Sequence, residues 1–443
     1  MKTLRKNILR EFKSSFPRFI SITILLALGA FILIGLKVTG SNMRQTGNDY
    51  FEKHHMADAQ VTSPIGFTKD DKDYIRHMKH VNNVEFSIYK DALISNSDTA
   101  IRLNENTSNI SKFKTEKGRL PKKSNEIALS EQETSHYHIG DTIHLKNNNG
   151  SKNISGLKYS KYKVVGFVSS SDYMEKHNLG VTRAGKGQID TFGVLTKKGF
   201  STNTSNIAKL TYNNLKGNAY SDEFKNQLNK NVNKNEAGLK TWSDKQITDL
   251  KASKEKTLQT SKRQLQQQKE ALKENEDILK QTGQYKDKKQ DINKAEDKLK
   301  SKEQDIKQLD NVHYSIQSRS DYNQGYSQFG ESAKRVDVLS NTFPIIFFAV
   351  AILVTFITMS RMAEEKRMNM GLMRALGYSK FDTMKIFLIY GASAAIIGTA
   401  LGSFFGTWLL PKRIYQAYAA NLVVPPIMTP PHWLWIIISL ILA

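Results

Sequence analysis

The sequence predicts an α+β membrane protein. It would have four transmembrane helices, the last one truncated, and an extracytoplasmic mixed α/β domain that carries an inserted antiparallel coiled-coil hairpin. Three observations lead to this fold class. Apolar blocks occupy residues 19–38, 343–360 and 386–410, and about 20 apolar residues cross a bilayer. A polar stretch with short alternating patterns separates the first two blocks, and leucines recur every seven residues within 244–312.

The composition excludes several classes of chemistry. The 443 residues include 65 Lys and Arg against 42 Asp and Glu, a formal net charge of +23, and no cysteine. The lack of cysteine excludes disulfides, thiol catalysis and cysteine-ligated metal. The positive charge fits contact with an anionic membrane surface or wall polymer. Nucleic acid is not a predicted partner, because the basic segments carry no nucleic-acid-binding motif.

Residues 1–18 are predicted to form a cytoplasmic amphipathic helix ahead of the first membrane span. An apolar stripe recurs every four residues, and basic side chains surround it. The stripe is Leu4, Ile8, Phe12 and Phe16, and the basic residues are Lys2, Arg5, Lys6, Arg10, Lys13 and Arg18. A basic flank without a helix would orient the span equally well. The block at 19–38 is longer than the apolar core of a cleaved signal peptide, about 7–15 residues, which favours a retained helix.

The basic residues between the other spans predict the orientation. The loop at 361–385 is rich in Lys and Arg, whereas the loop at 411–432 has only Lys412 and Arg413. By the positive-inside rule, the N-terminus and 361–385 are cytoplasmic, and residues 41–341 and 411–432 lie outside the cell membrane. A last apolar run, 433–443, has 11 residues, too few to span a bilayer. It is expected to begin a fourth helix of a longer natural chain.

One face of the third span carries small residues at every fourth position. These residues are Ala394, Gly398, Gly402 and Gly406. Small residues let two helices approach closely in lipid, where packing drives association. Glycine is frequent in membrane helices, so its presence alone would not be informative. The strict register predicts a packing face.

The region between the first two spans divides into three parts. Residues 41–243 read as a mixed α and β core domain, with strands expected at Asp141–Leu145 and Tyr162–Val168 and helices at Lys69–His80 and Ser221–Val232. Residues 244–312 form the second part. Residues 313–341 return the chain to the membrane.

Residues 244–312 are predicted to form a helical hairpin. Heptad positions are apolar on both sides of a break at Gln281-Thr282-Gly283, which indicates two antiparallel coiled-coil arms of about 45 Å. These positions are Leu258, Leu265, Leu272 and Leu279, then Tyr285, Ile292, Leu299 and Ile306. Many other core positions are polar, so one interpretation is a marginally stable hairpin that needs a partner. A solvated charged linker is the alternative.

No catalytic or metal site is predicted in this chain. The sequence has no glycine-rich phosphate loop and no Gly-x-Ser-x-Gly elbow. His54-His55 and the pair His136 and His138 have no convincing third ligand. No cofactor is therefore expected here, and ATP and Mg²⁺ would be bound by a partner ATPase.

Three segments together resemble FtsX-like permeases and the MacB-type ABC transporters of the type VII superfamily. The first runs from Glu364 to Lys380, where a charged run leads into Gly-hydrophobic-x-Arg-Ala-Leu-Gly. The second joins Gly118-Arg119-Leu120-Pro121 to the segments 125–130 and 139–143, and the third is 162–168. The cysteine-free, Lys- and Asn-rich composition is typical of a Gram-positive source. The inserted hairpin and the end within the fourth span depart from the simplest family members.

The resemblance implies that the 361–385 loop is a coupling loop, whose short helix docks into a groove on the ATPase. The ATPase-coupling residues it implies are Glu364, Glu365, Lys366, Arg367, Gly371, Arg374, Ala375, Leu376 and Gly377. Without any docking role, these charged residues would still set the membrane topology and contact lipid headgroups. The implied partners are an ABC ATPase dimer, a second permease copy or half, membrane lipid and an extracytoplasmic accessory or wall protein.

The resemblance leaves two functions open. The chain would be the permease subunit of an ABC transporter that exports or extrudes a lipid, lipoprotein, peptide or drug. Alternatively, it would be a mechanotransmitter that activates a cell-wall hydrolase or sensor kinase through the hairpin. A third hypothesis, an anchored adhesion module without an ATPase, is disfavoured by the coupling-loop motif.

Overall fold

A computed structural model describes residue 10, residues 12–281 and residues 283–442. Most of the predicted amphipathic helix at 1–18, including Leu4 and Ile8, lies outside the described residues, as do Thr282 and Ala443. The helices are α1 (Phe16–Lys53), α2 (Lys69–Arg76), α3 (Asp222–Glu274), α4 (Glu276–Gln281), α5 (Tyr285–Gln308), α6 (Arg319–Tyr322), α7 (Gln324–Glu365), α8 (Arg367–Ala375), α9 (Lys380–Tyr418) and α10 (Trp433–Leu442).

Eleven strands lie between α1 and α7 in the described part of the chain. They are β1 (Ala59–Thr62), β2 (Val81–Ser87), β3 (Tyr89–Ile94), β4 (Ala100–Glu105), β5 (Lys114–Gly118), β6 (Glu126–Ser130), β7 (Thr142–Lys146), β8 (Lys161–Ser169), β9 (Thr191–Leu195), β10 (Ile207–Tyr212) and β11 (Ser315–Ser318). The predicted mixture of helices and sheets is confirmed, and the two expected strands correspond to β7 and β8.

Among the described residues, three helices are long and apolar enough to cross a membrane: α1, α7 and α9. They have 38, 42 and 39 residues, and 38 residues span about 57 Å. A bilayer core is about 30 Å thick, so each helix continues well beyond it. α10 is apolar but covers ten residues, and a complete fourth span stays a prediction.

The chain direction determines which helix ends lie together at each end of this bundle. α1 begins, α7 ends and α9 begins at one end, which α8 also occupies. At the other end, residues 39–53 of α1 and 324–342 of α7 form a stalk that leads to the sheets. An aromatic cluster fills the stalk, in which the rings of Tyr220 and Tyr326 stack at 4.7 Å. Phe329 and Tyr415 also belong to this buried cluster.

The sheet lobe consists of a four-stranded antiparallel sheet, in the order β11-β1-β10-β2, with α2 and the first part of α3. Its core includes Phe67, Ile75 and Leu228. α3 stays attached as far as Ser243, whose hydroxyl accepts a hydrogen bond from the Tyr314 amide at 3.0 Å. The predicted boundary at 243/244 therefore falls inside one unbroken helix.

The ring lobe is a seven-stranded sheet in the order β5-β8-β6-β9-β4-β3-β7. β7 pairs with both β3 and β8, so six of its strands close into a ring around a buried apolar core. The β4–β9 and β6–β8 pairs are parallel, and the others are antiparallel. Closure of the ring removes most exposed strand edges, which could otherwise pair with strands of another molecule.

Two of the family-like segments meet in the ring lobe. Arg119 donates two hydrogen bonds to Glu126, at 2.7 and 2.8 Å. The Arg119 guanidinium lowers the pKa of the Glu126 carboxyl to about 2. Gly118 has φ +75°, and a Cβ there would lie 2.5 Å from the Val165 carbonyl oxygen. Glycine fits this position because it alone adopts positive φ without strain and leaves room for β8.

α3 and α5 run antiparallel beyond the sheet lobe. Leu258 and Leu265 of α3 share a buried cluster with Leu299 and Ile306 of α5. Three cross-helix ion pairs flank this cluster: Lys251–Asp310 at 2.5 Å, Lys262–Glu303 at 2.7 Å and Lys269–Glu296 at 2.9 Å. These pairs are exposed to solvent, so they contribute little to the stability of the hairpin. The first arm also breaks at Asn275, before α4. Coiled-coil packing stays a prediction.

Candidate functional site

The coupling-loop segment forms α8, a nine-residue helix joined to its neighbours by sharp turns. Gly377 has φ +92°. Its amide donates to the Arg374 carbonyl, and the Tyr378 amide donates to the Met373 carbonyl, both at 3.1 Å. This pair of hydrogen bonds is a Schellman motif, in which glycine is preferred because it adopts positive φ without strain. α9 begins immediately after it, capped by Ser379.

Most of the predicted coupling residues are exposed. These are Glu364, Glu365, Arg367, Gly371, Arg374, Ala375, Leu376 and Gly377, whereas Lys366 is half-buried. A Cβ at Gly371 would have no atom within 4 Å, so the outer face of α8 is open at this point. The structure brings these residues together along one short helix and its two ends.

An apolar strip lies along the outer face of α8 and its C-terminal cap. Met368 is 80% exposed, Leu372 59% and Leu376 77%. These residues are spaced by four, so they lie on one face of a helix. Met368 and Leu372 were not among the predicted site residues, although the spacing was visible in the sequence. Exposed apolar side chains in such a row are typical of a surface that contacts a partner protein or the membrane.

Glu365 is already engaged within the chain. The Arg18 guanidinium donates to both carboxylate oxygens of Glu365, at 2.6 and 2.9 Å. Two-point contacts of this kind fix geometry as well as charge. The pair joins the start of α1 to the end of α7, directly beside α8. Nothing in the sequence pattern indicated this contact, because 347 positions separate the two residues.

Lys366 faces inward rather than outward. It lines a cavity of about 560 Å³ together with Arg10, Asn369, Met370 and Phe387. This cavity lies between the residues before α1, α8 and the start of α9. Lys366 and Arg367 therefore occupy different surroundings, although they are adjacent in the chain.

The small residues of α9 lie directly against α1. A Cβ at Gly398 would be 2.8 Å from the Thr23 carbonyl oxygen, and one at Gly402 would be 2.3 Å from that of Ala27. At Gly406 the corresponding distance, to Phe31, is 2.9 Å. A larger residue would push the helices apart, since Cβ atoms do not approach oxygen this closely. Backbone contact of this kind is typical of small-residue helix packing in lipid.

Ala394 continues this face towards α8. Its side chain is fully buried, in a cluster with Phe19, Leu26 and Tyr390. The Tyr390 hydroxyl donates to the Ser15 carbonyl at 3.0 Å. α1 and α9 thus remain in contact from the α8 end of the bundle to Leu410, whose side chain occupies the space next to Gly35.

The comparison with family models gives one match. The FtsX-like permease C-terminal family matches residues 341–443, which include α8, α9, α10 and the apolar part of α7. The predicted resemblance to FtsX-like permeases is confirmed. The likeness of the ring lobe to MacB-type domains stays a prediction.

No curated protein matches the sequence. Matching solved structures include the "extracellular domain of noncanonic ABC-type transporter YknZ from Gram-positive bacteria". That match has 14% sequence identity and a TM-score of 0.24, and it covers 41% of this chain and 92% of that chain.

We expect Gly402→Ala to destabilise the bundle. The new methyl group would meet the Ala27 carbonyl, and overpacking of this kind costs about 1–3 kcal/mol. Gly391→Ala is the matched control on α9, because its Cβ would lie 3.9 Å from the Met359 methyl, an ordinary van der Waals distance. Thermal unfolding of the detergent-solubilised chain measures the difference. Equal midpoints for the two variants would contradict close α1–α9 packing.

Proposed function

We propose that this FtsX-like permease is the membrane subunit of an ABC transporter, driven by a separate ATPase that binds ATP and Mg²⁺. The observation that carries the proposal is α8, a short helix held between the ends of α7 and α9. It presents the apolar strip of Met368, Leu372 and Leu376 away from the bundle. A short amphipathic helix is suited to insertion into a groove on a partner protein.

The connections of α8 support a coupling role. Its nine residues separate two helices of 42 and 39 residues, and each of these reaches the far end of the bundle. Arg18 and Glu365 tie α1 to the same end. A force applied to α8 by the ATPase would therefore act on all three long helices. The outer charges Glu364, Arg367 and Arg374 are placed to pair with charges around the ATPase groove.

A second permease copy or half is a further proposed partner. The apolar part of α1 is 50% buried within the chain, whereas that of α7 is 17% buried. Exposed apolar residues such as Ile345, Ile352 and Phe356 line α7. Lipid covers such a surface equally well. A partner helix on this side would bury these residues in place of lipid.

We propose that α8 is cytoplasmic and that both lobes lie outside the cell membrane. The segment from 361 to 385 carries six basic residues, which the positive-inside rule places in the cytoplasm. They are Arg361, Lys366, Arg367, Arg374, Lys380 and Lys385. The lobes lie at the opposite end of α7, since 42 helical residues separate Gln324 from Glu365.

The transporter would export or extrude a lipid, lipoprotein, peptide or drug, acting through movement of the lobes. One observation favours the alternative, a mechanotransmitter that activates a cell-wall hydrolase or sensor kinase. α3 starts at the stalk, where the Ala219 amide donates to Asn48 of α1 at 2.9 Å, and runs unbroken for 53 residues. A helix of this length is about 80 Å long, so stalk movement would reach the hairpin.

We expect Leu372→Lys and Arg374→Glu to weaken ATPase docking. Losing one buried leucine contact costs about 1.5–3 kcal/mol, which corresponds to about a tenfold or greater loss of affinity. Lys300→Glu on the exposed hairpin is the control for a change of charge. Co-purification of the partner ATPase, which we expect to be encoded by a neighbouring gene, provides the measurement. Wild-type recovery of the ATPase with both α8 variants would refute the docking assignment.

Cysteine labelling tests the orientation, because these 443 residues contain no cysteine. Lys286→Cys on the hairpin should react with a membrane-impermeant maleimide in intact cells. Arg367→Cys on α8 should react only after permeabilisation. The opposite pattern would invert the proposed topology.

Shortening the hairpin separates the two functions. Residues 254–307 would be replaced by a short Gly-Ser linker, which keeps the Lys251–Asp310 pair at the base. For a transporter, we expect ATPase-dependent extrusion and wall hydrolysis to stay unchanged. Retained extrusion with lost wall hydrolysis would favour the mechanotransmitter. An unrelated helical hairpin of equal length is the control for the lost mass.

A further inference from the structure

A polar cleft of about 310 Å³ lies between the sheet lobe and the ring lobe. One wall is formed by β1, β10 and β11 of the sheet lobe. The other is formed by β4 and by residues 172–181, which follow β8. We call this cavity the interlobe cleft. Its volume is at the lower end of the range for small-molecule sites, about 300–1,000 Å³.

Three polar side chains form a row across the sheet-lobe wall. Gln60 of β1 lies opposite Lys209 of β10 and opposite Gln317 of β11. Directly opposed residues in antiparallel strands project their side chains from the same face. All three line the interlobe cleft. The row therefore presents two amides and one ammonium group to the same space.

The amide of Gln60 lacks a hydrogen-bond partner. The residue is 9% exposed, and among the described residues none donates to or accepts from its side chain. Its amide atoms are open to the cleft rather than enclosed in the protein interior. The donors and the acceptor of this amide are therefore available to a molecule in the cleft.

The two cations of the cleft lining each have a carboxylate partner, and the remaining carboxylate, Asp321, accepts hydrogen bonds from the Ser318 amide and hydroxyl. The Lys209 ammonium contacts Asp172 at 2.7 Å, and Arg102 donates to both oxygens of Asp91 at 2.7 and 2.8 Å. Burial alone would lower the pKa of the Arg102 guanidinium, but the Asp91 carboxylate raises it. The cationic side chains of the lining thus each have a carboxylate partner. A neutral ligand fits this lining better than an ionic one.

The ring-lobe wall adds aromatic surface. The Arg102 guanidinium lies over the Tyr89 ring at 4.4 Å, and Tyr173 stacks on Phe192 at 4.4 Å. The Tyr173 hydroxyl donates to Asn104 at 3.0 Å. Burial raises the pKa of Tyr89, so its hydroxyl stays protonated and can donate. The tyrosines of the lining therefore provide apolar contact area, and the Tyr89 hydroxyl provides hydrogen bonding, for a small polar molecule.

We propose that the interlobe cleft binds a neutral ligand with a secondary amide, and that the Gln60 amide recognises it. A primary amide has both donors and an acceptor, so Gln60 can exchange two hydrogen bonds with the N–H and C=O of a secondary amide. Such a group occurs in N-acetylated amino sugars and in peptides. Because the cleft has one wall from each lobe, a bound ligand would bridge the two lobes.

Binding to the full chain in detergent tests this site without an ATPase. The probes are N,N′-diacetylchitobiose and N-acetyl-alanyl-alanine amide, measured by calorimetry or ligand-observed NMR. Cellobiose is the matched sugar without an acetamido group. We expect one of the two amide probes to bind and cellobiose not to bind. Sugar-only binding would identify an amino-sugar ligand, and peptide-only binding a peptide ligand.

Gln60→Met removes the amide while keeping the side-chain length. We expect about a tenfold loss of affinity, which corresponds to the net value of a neutral hydrogen bond of about 1–1.5 kcal/mol. Gln264→Met, on the exposed surface of α3, is the matched control, and both variants should keep the thermal midpoint. No binding by either amide probe, equal binding by cellobiose, or unchanged affinity in Gln60→Met would each overturn the proposal.

Discussion

The backbone contact between α1 and α9 is the constraint on which the rest of the structure depends. Gly398, Gly402 and Gly406 bring α9 so close that the carbonyl oxygens of α1 occupy the space of the missing side chains. In lipid, no hydrophobic driving force holds two apolar helices together, so their association depends on such close packing. The contact fixes the direction of both helices. Since both continue beyond the apolar region, it also fixes where the stalk and the segment after α9 leave the bundle.

The two lobes are attached to different parts of this bundle. The sheet lobe follows directly from α1 and leads directly into α7, and a buried pair between Asp58 and Arg319 joins these two connections. The ring lobe is held from the other side, by residues 419–428 after α9. There the Lys176 amide donates to the Asn421 carbonyl at 3.0 Å, and the Val423 amide donates to the Met174 carbonyl at 2.7 Å. The ring lobe is thus linked to the segment after α9 and also to the start of α7, where the Asn178 side chain donates to Gln324 at 3.2 Å.

The parts of the structure that the sequence predicts are those set by local periodicity. The lengths of the apolar blocks located the three spans. The register of Gly398, Gly402 and Gly406 indicated a packing face, although not the helix that packs against it. The coupling-loop residues lie on one short helix because their spacing is local. Contacts between distant segments were not predictable: nothing local relates Arg18 to Glu365, or Gln60 to Lys209. The continuity of α3 across residue 244 was not predicted either. The amino-acid composition changes there, although the helical hydrogen bonding continues.

The attachments of the two lobes to the long helices determine which contacts a movement of the bundle would change. α1 and α9 are held together by backbone contact, whereas the apolar part of α7 is mostly exposed and packs on α1 through side chains such as Phe348, next to Gly29. α7 continues from β11 and α6, which belong to the sheet lobe side of the interlobe cleft. The opposite wall is held from two sides, by residues 419–428 after α9 and by the start of α7, where the Asn178 side chain donates to Gln324 at 3.2 Å. A displacement of α7 against the α1–α9 pair would thus act on both walls of the interlobe cleft, and contacts at the cleft would change before either closely packed lobe core did.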